Sequence, residues 1–86
     1  MIIVHNSALK HGLNEEDVKS AWIGVQEYRR IKQDKYPPHY MAVGFLSNGK
    51  SVEMVAYSDG LDWHIFHAMS PVTGNFKRVY EKEAGK

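Results

Sequence analysis

Residues 39–70, "HYMAVGFLSNGKSVEMVAYSDGLDWHIFHAMS", decide the fold of this chain. Three apolar-rich runs are separated by Asn48-Gly49 and by Asp59-Gly60. An Asn-Gly pair between such runs predicts a two-residue hairpin, because both loop positions of that turn need positive φ. With 48 and 49 as the loop, Phe45 faces Val52, Val43 faces Met54 and Met41 faces Ala56. A second turn at 59 and 60 sets Ala56 opposite Trp63, Met54 opposite Ile65 and Val52 opposite His67. Side chains alternate along a strand, so these residues share one apolar face on which helices can bury. The other face then holds Tyr40 opposite Tyr57, Ala42 opposite Val55 and Gly44 opposite Glu53. His64 and Phe66 join that mixed face from the third strand.

Toward the N-terminus, Ile2, Ile3 and Val4 are β-branched and read as a short opening strand. "NSALKHG" (6–12) predicts a short helix that Asn6 or Ser7 caps and Gly12 stops. "LNEEDVKSAWIG" (13–24) carries the clearest helix pattern. Asn14 is a good N-cap, and Glu15, Glu16 and Asp17 sit at the positive end of the helix dipole. Val18, Ala21, Trp22 and Val25 recur on one helical face. Residues 26–38 are polar, end in two prolines and predict an exposed connection or an edge element. A closing helix or extended tail is expected from about Asn75 to Glu83. The expected fold class is α+β: a short N-terminal strand and two helices packed on a three- to four-stranded antiparallel meander, with a short C-terminal helix.

At 86 residues and 43% hydrophobic content the chain, residues 1–86, predicts a single domain with one core. It has no cysteine, so no disulfide or thiolate metal site is available, which suits a reducing cytoplasm. No signal peptide is visible in "MIIVHNSALK". No run approaches the roughly 20 apolar residues that cross a bilayer, so no membrane partner is expected. Eleven basic residues against ten acidic give a formal charge of +1, without the basic surplus typical of a dedicated nucleic-acid binder. Contact with RNA would need a local patch. The tail offers a mild one in Lys77, Arg78, Lys82 and Lys86, balanced by Glu81 and Glu83; a solvated helix face explains it equally well.

"WHIFHAMS" (63–70) carries two histidines three residues apart. On a regular strand such residues point to opposite faces, so His64 and His67 cannot grip one ion without a bulge, and no metal site is expected. His67 falls at the end of the apolar face, where a hydrogen-bonded core histidine is the plain alternative to a chemical role. His64 lies on the mixed face near Tyr57 and Glu53. His11, beside Lys10 and before Gly12, fits an ordinary helix C-terminus, where cations are favoured. Arg78 and Tyr80 also suit packing and solubility. Tyr40, Tyr57 and Phe66 can stack bases, and aromatic cross-strand pairs also stabilise sheets by themselves.

"ALKHGLNEEDVKSAW", "MAVGFLSNGKSVEMVAYS" and "DWHIFHAMSPVTGNFKRVY" together resemble the small BrnT-type toxins of the RelE/ParE superfamily, over roughly residues 7–82. The likeness is strongest to short actinobacterial toxin-like proteins with a Lys-His-Gly element and an Ile-x-His-Ala-Met ending. Lys10, His11 and Gly12 match the first element, Glu16 and Ala21 the following helix, His67, Ala68 and Met69 the strand end, and Thr73 and Tyr80 the closing segment. The resemblance implies a helix pair before an antiparallel sheet, a cognate antitoxin encoded alongside, and RNA cleavage in the superfamily's ribonuclease members. The chain departs from the pattern where His64 and Met69 stand in places usually held by arginine, and Phe76 in that of an acid.

Two functions are expected from these residues. In the first, the chain is a toxin-type endoribonuclease acting on RNA or at the ribosome, without metal or cofactor. Cleavage needs a base for the 2′-hydroxyl proton, cations for the phosphorane and an acid for the leaving oxygen. His67 or His11 would move protons, Lys10 and Arg78 would balance phosphate charge, and Tyr80 would orient the substrate. His64, Tyr57 and Lys77 would contact RNA. In the second, motivated by the missing arginines and balanced charge, the scaffold is a non-catalytic interaction module. The mixed face, or Val79 and Phe76, would dock a partner chain. No basic recognition-helix pattern points to DNA.

Overall fold

A computed structural model describes residues 1–31 and 36–84. Part of the polar connection expected at 26–38, namely residues 32–35, and the tail residues Gly85 and Lys86 lie outside the described residues. In chain order the elements are β1 (Ile2–Val4), a 3-10 turn (Asn6–Leu9), α1 (Glu15–Ile23), β2 (Arg29–Arg30), β3 (His39–Phe45), β4 (Ser51–Ser58), β5 (Trp63–Met69) and α2 (Gly74–Ala84). They make an α+β fold on one five-stranded sheet of order β1-β5-β4-β3-β2. The sheet is mixed, not the purely antiparallel meander expected: β3 pairs antiparallel with β4 and β4 with β5, but β1 runs parallel to β5. It is also wider than expected, because β1 adds to one edge and β2 pairs antiparallel with β3 at the other.

α1 forms where its caps and charges favour it. Asn14 Oδ1 accepts the Asp17 N–H at 2.8 Å, three acidic residues fill the first turn, and Lys19 pairs with Glu15 at 2.9 Å one turn away. Val18, Ala21 and Trp22 are buried beneath it. The helix crosses β3 so closely that a Cβ on Gly44 would lie 2.5 Å from the Ala21 carbonyl oxygen. Only glycine fits there.

Both hairpins differ in register from the sequence expectation, for identifiable reasons. In the first, Gly49 has φ +89° and, among the described residues, no other residue type has positive φ, so Asn48 cannot occupy the mirror-image turn. The loop is instead one residue longer. Leu46 and Lys50 close it, Gly49 N–H bonds Leu46 O at 2.9 Å, and Asn48 Oδ1 takes the Lys50 N–H at 2.9 Å. This is the three-residue loop ending in a left-handed glycine. Phe45 therefore faces Ser51, Val43 faces Glu53, and Met41 faces Val55. One residue of slip moves every β3 side chain to the other side of the sheet. Tyr40, Ala42 and Gly44 face the core in place of Met41, Val43 and Phe45.

The second turn is also longer, with Ser58 opposite Trp63. Asp59 Oδ1 gathers the N–H groups of Leu61 (2.9 Å) and Asp62 (2.7 Å) around Gly60, whose φ is +97°. Farther along, the pairing jumps from Ala56–Ile65 to Val55–His67, leaving Phe66 as an extra residue. This β-bulge breaks the strict alternation of β5. Trp63, Ile65 and Ala68 face the core, whereas His67 does not; the bulge turns it to the same side as His64. The expectation that these two imidazoles look opposite ways is thereby overturned.

The core face packs Val52, Met54, Ala56, Ala42, Ile65 and Ala68 against Val18, Ala21, Trp22 and Ala8. Each fully buried side chain of the size of Met54, Ile65, Val18 or Val52 contributes about 1.5–3 kcal/mol. α2 lies over part of the second face and is tied down at its start and again at Tyr80. Thr73 caps it, accepting Phe76 N–H at its Oγ1 (3.3 Å). Farther along, Arg29 donates to the Tyr80 carbonyl (2.9 Å) and lays its guanidinium 3.8 Å from the Tyr80 ring centre.

Candidate active site

Between α2, the 3-10 turn and the second face of the sheet lies an open cavity of about 600 Å3. Met41, Val55, Phe66 and His67 form its floor; Ser7, Lys10 and His11 line one wall, and Asn75, Phe76 and Val79 the other. Its depth holds one acidic side chain. Glu53 is only 4% exposed, although it stands in the apolar strand "SVEMVAYS".

A buried carboxylate is costly unless hydrogen-bonded, and this one is. Its Oε1 accepts the Thr73 N–H at 2.7 Å and the Thr73 hydroxyl at 2.8 Å, while its Oε2 lies 2.7 Å from His67 Nε2. Burial alone would push the Glu53 carboxyl upward. The Thr73 backbone N–H, the His67 imidazole and the Thr73 hydroxyl outweigh that and hold it below its ordinary value. An ionised carboxylate only accepts, so His67 donates from Nε2, and in the neutral ring Nδ1 keeps its lone pair. The His11 ring lies 5.7 Å away, edge-on at 71°. Lys10 adds an ammonium to the same wall. The site thus combines an anchored imidazole, a second imidazole and a cation, a set that can take a proton, return one and balance developing negative charge.

Of the residues singled out in the sequence, Lys10, His11 and His67 share this cavity. His64 and Tyr57 stack on the same sheet face, centres 4.7 Å apart and 2° from parallel. Arg78 does not line the cavity; its Nη1 donates to Asn75 Oδ1 (3.1 Å), a rim residue. Tyr80 and Lys77 line a separate hollow of about 380 Å3 beside Arg29. Phe76, expected to dock a partner, is 7% exposed and packs within the chain. Among the described residues, no group of three or more histidines or acids could hold a metal ion, and no helix is long and apolar enough to cross a membrane.

On sequence Glu53 falls on the right face without a role, and Ser7 and Asn75 read as helix-start residues only, not as parts of a site. A lone acid within an apolar strand was the available signal for Glu53, since such a residue needs a buried partner. Comparison of the chain with protein-family models, with curated proteins and with solved structures returns no match, so the chemistry of this site rests on its own geometry.

Proposed function

We propose that the chain is a metal-independent endoribonuclease, the toxin half of a toxin–antitoxin pair, and that it cleaves RNA in the cavity between α2 and the sheet. The pairing of His67 with buried Glu53, facing His11 and Lys10, carries this reading. Glu53 fixes the His67 tautomer and stabilises the imidazolium that forms when Nδ1 accepts the 2′-hydroxyl proton. The freed 2′-oxygen attacks phosphorus while the bond to the 5′-oxygen breaks. Protonated His11 gives its proton to that leaving oxygen, and Lys10 offsets charge on the phosphorane. The products are a 2′,3′-cyclic phosphate and a 5′-hydroxyl end. Arg78, through Asn75, supports the strand at the rim, and His64 and Tyr57 hold it beyond the cavity.

A cytoplasmic toxin of this kind requires a protein antitoxin, and the open cavity is the surface such a partner has to cover. Induction in bacteria is expected to arrest growth and fragment RNA, with His67→Ala relieving both. A wild-type chain that leaves growth and RNA intact removes the enzymatic reading. A non-catalytic interaction module is the alternative, favoured by Phe45, 63% exposed beside the end of α1. On that reading a partner co-purifies with the chain, RNA stays whole, and Phe45→Ser rather than His67→Ala releases the partner.

A further inference from the structure

Outside the cavity the same sheet face carries a second chain of imidazoles on a carboxylate. Asp59 Oδ2 lies 2.8 Å from His64 Nε2, and His64 Nδ1 lies 3.0 Å from His5 Nε2. Asp59 accepts, so His64 donates from Nε2. Its Nδ1 then accepts the His5 Nε2–H, and neutral His5 keeps a lone pair on Nδ1. The arrangement repeats that of Glu53, His67 and His11: a carboxylate from β4 or its following turn, a histidine of β5, and a histidine flanking the 3-10 turn. Around it lie further aromatic rings of the same sheet face. Tyr57 stacks on His64, His39 lies 5.0 Å from Phe66, and both contact Tyr57 at about 6 Å, 6.2 and 6.1 Å respectively. All of these rings are half-buried. With His39 included, all five histidines of the chain lie on this one face.

We propose that His5, His64 and Asp59, with Tyr57, His39 and Phe66, form a nucleotide-binding subsite beside the cavity, Phe66 being shared between the two. One proton taken up by the His5–His64 pair leaves a cation flanked by Asp59 on one side and open to a phosphate oxygen at His5 on the other. The ligand's phosphate replaces water at that end, and its base lies on the aromatic patch, since every nucleobase has a π-face to stack. A purely structural cluster would be served better by apolar rings, which carry no polar nitrogens to satisfy. The ligand is either a free mononucleotide or one unit of an RNA strand whose scissile bond sits at His67. The second source rests on the proposed ribonuclease reading; the subsite itself does not.

Histidine C2–H resonances followed by NMR test this on the intact chain. Adenosine monophosphate is expected to shift the His5, His39 and His64 signals saturably, with adenosine or inorganic phosphate alone binding at least tenfold more weakly. Asp59→Asn keeps the turn's Oδ1 acceptor, His5→Asn removes the imidazole, and Tyr57→Leu keeps apolar bulk. Each is expected to weaken binding on the order of tenfold. An oligoadenylate that binds more tightly than the mononucleotide identifies a strand unit, and the reverse identifies a free nucleotide. The proposal is overturned if no saturable shift appears, if only His11 and His67 respond, or if the three variants bind like the wild type. His67→Ala is expected to retain binding. A wild-type chain that binds the nucleotide without cutting RNA therefore defeats the proposed function and spares the subsite.

Discussion

Thr73 gives Glu53 two hydrogen bonds, so the residue that starts α2 also fixes the carboxylate that orients His67. Helix docking and imidazole orientation are one structure. Glu53→Gln keeps an oxygen for Thr73 but turns an amide N–H toward His67, forcing the other tautomer. RNA cleavage is expected to fall on the order of 10²–10⁴-fold with the melting temperature little changed. Glu53→Ala leaves the Thr73 and His67 donors unpaired and is expected to cost about 2–4 kcal/mol, read by urea denaturation.

His67→Ala and His11→Ala remove the two proton carriers. Either is expected to lower cleavage on the order of 10²–10⁴-fold, and the double variant far less than the product of the singles, because the two act as a unit. Chelator in the assay should change nothing. Loss of cleavage on chelation would contradict the metal-free mechanism.

Gly44 sits under the Ala21 carbonyl, where a methyl group would meet oxygen at 2.5 Å and Met54 Cε at 2.9 Å. Gly44→Ala must push α1 away from the sheet, at a cost of about 1–3 kcal/mol. For a domain of this size that is a drop of roughly 4–24 °C in melting temperature. An unchanged melting curve would show that α1 does not pack there in solution.

Glu53 and Asp59 both have carboxyls held below their ordinary values of 4.5 and 3.8. For Glu53 the Thr73 and His67 contacts overcome burial; for Asp59 the Asp62 N–H leads, followed by His64 and the Leu61 N–H. A carboxyl with a depressed folded value stabilises the fold above its unfolded value and loses that contribution as pH falls through the folded one. Melting temperature is therefore expected to decline from about pH 5 downward. The decline should be shallower in Glu53→Gln and Asp59→Asn, which carry no proton-sensitive group at those positions. Parallel curves for wild type and variants would contradict the assigned contacts.

Local signals in the sequence led to the right elements: Asn14 and its acidic neighbours to α1, Ile2–Val4 to a strand, the glycine pairs to the two turns. What they could not supply was the count of residues within each turn. Asn48-Gly49 reads as a two-residue loop, and only the absence of positive φ at Asn48 reveals the third residue and the shifted register. Likewise no residue in "WHIFHAMS" announces a bulge, since Phe66 is an ordinary strand residue and the irregularity comes from fitting Ile65 and Ala68 both into the core. Lys10, His11 and His67 were legible as chemistry, each beside other polar or aromatic signals. Their convergence was not, because it depends on α2 folding back over the second face.

The extra residue at Phe66 means that arithmetic, rather than residue identity, governs where β5 presents its imidazoles. Deleting that single phenylalanine would restore regular alternation and leave His64 and His67 two positions apart, still on one face, with Ile65 and Ala68 still turned to the other. Histidines three apart on a strand share a face only where such an extra residue lies between them, so homologous chains would be compared most informatively by whether this segment keeps both its length and its irregular pairing.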